Sequence, residues 1–149
     1  MFSSKMSIVV ESKLESVPLA GTLIRTFCVE SGVSSLESGQ IEVCVVEAAN
    51  NSIVHAYRYE PGHAVEVIAK DNGGEFLFEV WDQGLSMDPG ILAHNRRHLL
   101  DQLPDANAAL PESGRGLAII QTIMDGIEYA TFAGKNHLSM RKHVERVRS

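Results

Sequence analysis

The sequence predicts a single α+β domain, a two-layer sandwich in which helices cover one face of a mainly antiparallel sheet. Three observations predict it. Apolar residues recur at helical spacing over two segments in the first half of the chain, 17–33 and 38–59. Two pairs of β-prone runs are joined by glycine-bearing turns, Asp71-Asn72-Gly73-Gly74 and Ala133-Gly134-Lys135. The 149 residues are 44% hydrophobic, enough for one core and fitting one domain, 1–149.

The elements follow in order. Ile8, Val9 and Val10 mark a first strand over 6–11. Leu19, Leu23, Ile24, Phe27 and Cys28 mark a first helix over 17–33, broken by Gly32 and the Ser34-Ser35 pair. A second helix begins at Ser38 or Gly39 and runs to about Tyr59, with Pro61-Gly62 as its stop. Strands over 63–70 and 75–81 form the first hairpin. After Asp82 the pattern stops: 83–113 holds Pro89, Pro104 and Pro111, and only 91–100 has a short helical signal. An irregular segment of that length is a functional lid or is disordered. A third helix starts at Gly114-Arg115-Gly116 and runs through Leu117, Ile119, Ile120 and Met124 to Asp125-Gly126. Strands over 127–132 and 136–142 close the domain.

Composition excludes several classes. A net charge of −6 argues against a surface that wraps nucleic acid. Met1-Phe2-Ser3-Ser4-Lys5 has no apolar h-region, and no run reaches membrane-spanning length, so a cytoplasmic protein without membrane contact is expected. Cys28 and Cys44 sit among apolar helical residues with no CxxC or Cys/His cluster, and read as reduced core thiols. His63, His94, His98, His137 and His143 show no metal-ligand spacing. Arg141, Lys142, Arg146 and Arg148 read as a solvated basic end.

Chemistry concentrates in three short motifs. On the second helix Glu47, Asn51 and His55 stand at successive four-residue steps, which stacks a carboxylate, an amide and an imidazole on one face. Ile41, Val43, Cys44, Val45, Val46, Ala48, Ala49, Ile53 and Val54 leave little other polar surface there, so these groups need partners. A carboxylate can take a proton, and an amide oxygen can hold a hard cation such as Mg²⁺. Taken alone, the pair Glu47 and Asn51 reads more readily as a solvated helix face. The second motif, Asp82-Gln83-Gly84, falls at a strand end, where a carboxylate can accept from an exocyclic amine and a glycine admits close backbone approach. The third, Gly114-Arg115-Gly116-Leu117, opens a helix whose free N–H groups and dipole suit phosphate, with Arg115 adding charge.

In this order and spacing, with the irregular segment between the second and third motifs, the chain resembles the GHKL ATPase superfamily, which includes gyrase, Hsp90, MutL and sensor histidine kinases. Glu47 and Asn51 match its N-box, Asp82 and Gly84 its adenine box, and Gly114 and Gly116 its second glycine box. Val46-Glu47-Ala48, Asn51, His55-Ala56-Tyr57, Trp81-Asp82-Gln83-Gly84, Asp88-Pro89 and Gly114-Arg115-Gly116-Leu117 through Met124-Asp125 are similar to the RsbW-type serine kinases, or anti-sigma factors. The resemblance spans nearly the whole chain. It implies a Bergerat ATP-binding fold with an ATP lid over about 86–113, the ligand Mg²⁺-ATP, and a homodimer. It further implies that Asn51 coordinates Mg²⁺, that Asp82 accepts from the adenine amino group, and that Gly114 and Gly116 contact phosphates beside Arg115 and Leu117. Glu47 would be the general base that takes the proton of a serine or threonine hydroxyl, with His55 in a supporting place at the nucleotide. Ser86 departs from the pattern, standing where many GHKL proteins carry a second glycine, and Glu112 brings unexplained negative charge to the phosphate end. Arg96 and Arg97 in the lid read as solvated charges.

The function so implied is an ATP-dependent serine/threonine kinase of a bacterial partner-switching module. It would phosphorylate a STAS-domain antagonist and sequester a target such as a sigma factor. Two alternatives share the fold: a non-catalytic, ATP-dependent partner-binding module, and a stand-alone ATPase. The absence of a GxxxxGK[ST] loop and of a strand-linked GxGxxG removes the rival nucleotide folds.

Overall fold

The computed structural model describes residues 4–87 and 112–146, with 112–114 described as backbone only. Its strands β1 (Ser4–Glu11), β2 (Ala64–Asp71), β3 (Glu75–Asp82), β4 (Gly126–Phe132) and β5 (Lys135–His143) form one antiparallel sheet in the order β1-β2-β3-β5-β4. Helices α1 (Val17–Glu30) and α2 (Ser35–Asn51) lie between β1 and β2 in the chain, and α3 (Glu112–Ile123) precedes β4.

The two-residue period of the strands decides which face the helices cover. Val65, Val67 and Ala69 of β2, Phe76, Phe78 and Val80 of β3, and Leu138 and Met140 of β5 are buried and alternate with less buried neighbours. They meet Ile24 and Cys28 of α1, Ile41, Cys44, Val45, Ala48 and Ala49 of α2, and Leu117 and Ile120 of α3 in one core. Each Val, Leu, Ile, Phe or Met side chain so removed from water contributes about 1.5–3 kcal/mol. Helix α2 packs between α1 and α3, so it is covered on both flanks and beneath. That position explains why it is apolar on most sides. Burial pushes the thiols of Cys28 and Cys44 up to about 12; at Cys44, Lys142 lowers the value and Glu47 raises it. Both are free, buried and protonated at neutral pH, as expected of core thiols. No helix among the described residues is long and apolar enough to cross a membrane.

The predicted elements are present among the described residues, but several ends differ. Helix α2 starts at Ser35, not at Ser38 or Gly39, because the Ser34 hydroxyl accepts the Glu37 N–H at 3.1 Å. Ser34 thus caps a helix instead of merely separating two, a contribution of about 1 kcal/mol. The α-helical ladder of α2 ends at Asn51; Ser52–Ala56 continue as one wider turn, in which the Tyr57 N–H reaches back five residues to the Ser52 carbonyl at 3.0 Å. Arg58 and Tyr59 then take positive φ (51° and 65°) and turn the chain before Pro61-Gly62 is reached. Helix α3 begins at Glu112, so Gly114 and Gly116 fall within its first turns, not ahead of it. Most of the expected lid, with the 91–100 helix, Arg96 and Arg97, lies outside the described residues.

The basic end is not simply solvated. Arg141 and Lys142 belong to β5, while Arg146 donates to Asp71 Oδ1, to the Gly73 carbonyl at 2.7 Å and to the Ser31 carbonyl at 3.3 Å. Its guanidinium lies 5.7 Å from the centre of the Phe76 ring. Asp71 is 3% exposed, and a buried carboxylate is costly unless paired. Arg146 therefore fastens the end of α1 to the β2–β3 turn. Arg146→Ala is expected to cost about 1–3 kcal/mol by stranding Asp71. The measurement is a urea unfolding curve, with a lower midpoint at unchanged slope.

Candidate functional site

The site grows from the one stretch of α2 where polar side chains interrupt the apolar surface. Glu47 and Asn51 are one turn apart there, and both are half-buried. Asn51 Nδ2 is buried and meets no hydrogen-bond partner among the described residues. A native interior seldom leaves an amide so, unless a ligand completes it. Helix α3 passes directly over Glu47. A Cβ added at Gly116 would stand 2.7 Å from Glu47 Oε2 and 3.4 Å from its Cβ, so only a hydrogen fits between the α3 backbone and the carboxylate. The first and third motifs are thereby brought into contact.

The second motif joins them through the wide turn. A Cβ at Gly84 would lie 2.4 Å from the Ala56 carbonyl oxygen, a distance no side chain can occupy. The Leu85 N–H donates to that same oxygen at 2.9 Å. The Gln83 N–H donates to the Tyr57 hydroxyl at 2.7 Å, and that hydroxyl donates to the Ala64 carbonyl, also at 2.7 Å. Burial raises the Tyr57 pKa, the Gln83 N–H bond opposes it, and the nearby Asp82 charge raises it again, which keeps the phenol a donor. Its ring stacks on His63 with centroids 4.7 Å apart. The end of the α2 segment and the loop after β3 are therefore stapled at three points.

Asp82 closes β3 and is 7% exposed. Its Oδ1 accepts from the Gly84 N–H at 3.0 Å and from Asn136 Nδ2 at 2.8 Å; among the described residues no hydrogen bond reaches Oδ2. Asn136 is 1% exposed, and its Oδ1 accepts from the hydroxyls of Ser86 and Thr131 at 2.9 and 2.8 Å.

The other sequence candidates divide. Gly114 lies in the first turn of α3, and Arg115 is exposed beside Gly116. Leu117 is buried in the core. His55 does not stay in line with Glu47 and Asn51. It lies in the wide turn, where a four-residue step no longer returns to the same face, and it is exposed. Sequence reasoning missed Asn136 and the anchoring roles of Tyr57, Ser86 and Thr131. The available signal for Asn136 was an asparagine inside a strand run, a residue type depleted there.

This geometry has relatives. The histidine kinase-like ATPase domain family matches residues 10–142. The chain belongs to that family. It is 27% identical over 128 residues to an anti-sigma F factor of Clostridium beijerinckii, with 86% of this chain and 85% of the relative covered. It is 28% identical over 158 residues to the serine-protein kinase RsbW of Bacillus pumilus, covering 93% and 88%. Among solved structures, the RsbU and RsbW domains of Rv1364c from Mycobacterium tuberculosis match 99% of this chain at a TM-score of 0.66 and 14% identity; the chain spans 35% of that protein's length. The SiaB–SiaC complex of Pseudomonas aeruginosa matches at a TM-score of 0.56 and 13% identity, covering 92% and 89%. The chain is thus RsbW-like in sequence and fold, and the α+β expectation holds. The family is an ATPase domain, so ATP is the ligand class the site must serve.

Gly84→Ala tests the staple. The added methyl meets backbone that cannot swing aside, so the loop carrying Asp82 must move. ATP affinity in equilibrium dialysis is expected to fall at least about tenfold, a loss of the size of one charged hydrogen bond. Unchanged affinity would show that the Gly84–Ala56 contact does not hold the pocket.

Proposed function

We propose that the chain is an ATP-dependent protein kinase that phosphorylates a serine or threonine of a small STAS-type partner and alternately holds a second target such as a sigma factor. The observation that carries this reading is the contact of Glu47 with Gly116, which sets a carboxylate against the opening turns of a helix. Such a helix end attracts phosphate, and such a carboxylate can receive a hydroxyl proton. Retention of that base favours a kinase over a pure binding module. The names of the relatives support the same module: one is a serine-protein kinase and another an anti-sigma factor, and SiaB was solved with its partner SiaC.

Each residue then has a role. Asp82 accepts from the adenine amino group through Oδ2. The free N–H groups of the first α3 turn, that of Gly114 among them, face the phosphates, Gly116 admits close approach of the α3 backbone, and Arg115 adds positive charge. Asn51 offers its amide oxygen to Mg²⁺, since turning the amide over exchanges its orphaned nitrogen for an acceptor. No cluster of three or more acidic, histidine or cysteine side chains able to hold a metal exists among the described residues. When bound, Mg²⁺ neutralises charge on the phosphates. Glu47 takes the hydroxyl proton as the partner's oxygen joins the γ-phosphorus and ADP departs. His55, at the exposed edge, supports the nucleotide without taking part in proton transfer. Homodimerisation belongs to the same proposal.

Purified protein with Mg²⁺-ATP is expected to label a serine or threonine on its cognate STAS protein. Glu47→Ala is expected to lower the labelling rate by about 10²–10⁴-fold while ATP still binds. Asp82→Asn is expected to weaken ATP binding by about 10- to 100-fold. Labelling that survives Glu47→Ala removes that residue as base. A wild type that binds ATP and never labels its partner would instead be a nucleotide-dependent binding module.

A further inference from the structure

Asn136 has no part in the roles assigned so far, yet it is among the most completely engaged side chains next to Asp82. The strand register sets it directly opposite Asp82 on β3 and opposite Thr131 on β4, so the three side chains form one row across three strands. Its Nδ2 lies 2.8 Å from Asp82 Oδ1, 3.0 Å from the Gly84 carbonyl and 3.4 Å from the Leu85 carbonyl. Its Oδ1 receives the two hydroxyls of Ser86 and Thr131. Both ends of the amide are engaged, and its orientation is fixed: turned over, its oxygen would face a carboxylate and two carbonyls, none of which can donate.

We infer that Asn136 is a positioning residue that sets nucleobase specificity by occupying one oxygen of Asp82 and aiming the other at the ligand. This rests on the reading of Asp82 as the adenine anchor. With Oδ1 taken by Asn136 and the Gly84 N–H, the carboxylate cannot rotate without breaking two hydrogen bonds. Its free oxygen is held as a pure acceptor, which demands a donor from the base and repels a carbonyl in that place. The class selected is a purine bearing an exocyclic amine at the ring position that meets Oδ2. A merely structural asparagine would support the loop without biasing that choice.

The experiment compares binding of ATP with binding of purine riboside triphosphate, which lacks only the 6-amino group, in wild type, Asp82→Asn, Asn136→Ala and Thr131→Val. Wild type is expected to prefer ATP by about 10- to 100-fold, the size of one hydrogen bond to a charged group. Asn136→Ala is expected to lose most of that preference, and the double variant with Asp82→Asn to lose no more than Asp82→Asn alone. Thr131 is exposed, so Thr131→Val keeps the fold; by removing one of the two hydroxyls on Asn136 it is expected to reduce the preference about 2- to 5-fold. Should Asn136→Ala fail to fold, Thr131→Val decides: an unchanged preference overturns the inference. Equal weakening of both nucleotides by Asn136→Ala overturns it too, as does full retention of the preference. If wild type itself does not distinguish the two nucleotides, the adenine-anchor reading of Asp82 is what fails.

Discussion

The Ala56 carbonyl oxygen is where the site is tied to the fold. In a continued α-helix it would accept from the N–H four residues on. Here it accepts from Leu85 instead, at 2.9 Å, with Gly84 pressed beneath it. The wide turn at Ser52–Ala56 frees that oxygen, and the absence of a Cβ at Gly84 makes room for it. Neither adjustment is useful alone. A relaxed helix end without the loop would leave carbonyls unpaired, and the loop without the helix end would have no acceptor for Leu85. Widened turns of this kind are rare and tend to lie at functional positions, in keeping with this one.

From that junction the rest of the arrangement follows by packing. Helix α2 is gripped between α1 and α3 over the sheet, so any polar group on it must find a gap in the cover. Glu47 finds it where the Gly116 backbone replaces a side chain. Asp82 escapes the core differently, by standing at the last position of β3, where the strand opens into the loop. The two carboxylates thus come from separate layers, one from the helices and one from the sheet. Burial pushes the Cys44 thiol up, and the Glu47 charge raises it further.

The parts of this arrangement that were legible in the sequence are those set by local pattern. Glu47 and Asn51 were visible because their apolar neighbours repeat at helical spacing, and Asp82 because a β-prone run ends on it before a glycine. The row of Asp82, Asn136 and Thr131 was not visible. The Ala133-Gly134 turn announces a hairpin, but nothing local says that β5, and not β4, pairs with β3. The phase of His55 was hidden for a related reason: the widened turn leaves the Ala56 carbonyl to accept from the Leu85 N–H, a donor far along the chain, and no residue inside the turn announces it. Arg146 read as solvent-facing because its partner Asp71 is remote in the chain, 75 residues earlier. Ser34 was the exception, a local signal with Glu37 in a capping pattern that was read only as a break.

On the proposed reading, the change of polarity from Asp82 to the first turns of α3 argues for the kind of ligand more strongly than any single residue. At one end the Asp82 carboxylate stands beside the carbonyl end of the α2 segment, which concentrates negative charge and calls for hydrogen-bond donors. At the other end the first turns of α3 present N–H groups and the positive end of a dipole, which calls for an anion. On that reading, a nucleotide with an amine on its base and phosphates at its far end satisfies both. Glu47 complicates the anionic end, since a carboxylate against Gly116 repels the phosphates that the helix attracts. On the proposed reading a divalent cation resolves that conflict, and Asn51 is the neutral ligand able to hold it there without adding a further negative charge. A second carboxylate at that position would bind the metal more tightly but would deepen the repulsion of the phosphates. The pairing of one acidic and one amide side chain, a single turn apart, is therefore the arrangement that lets the same helix face serve both the proton and the metal.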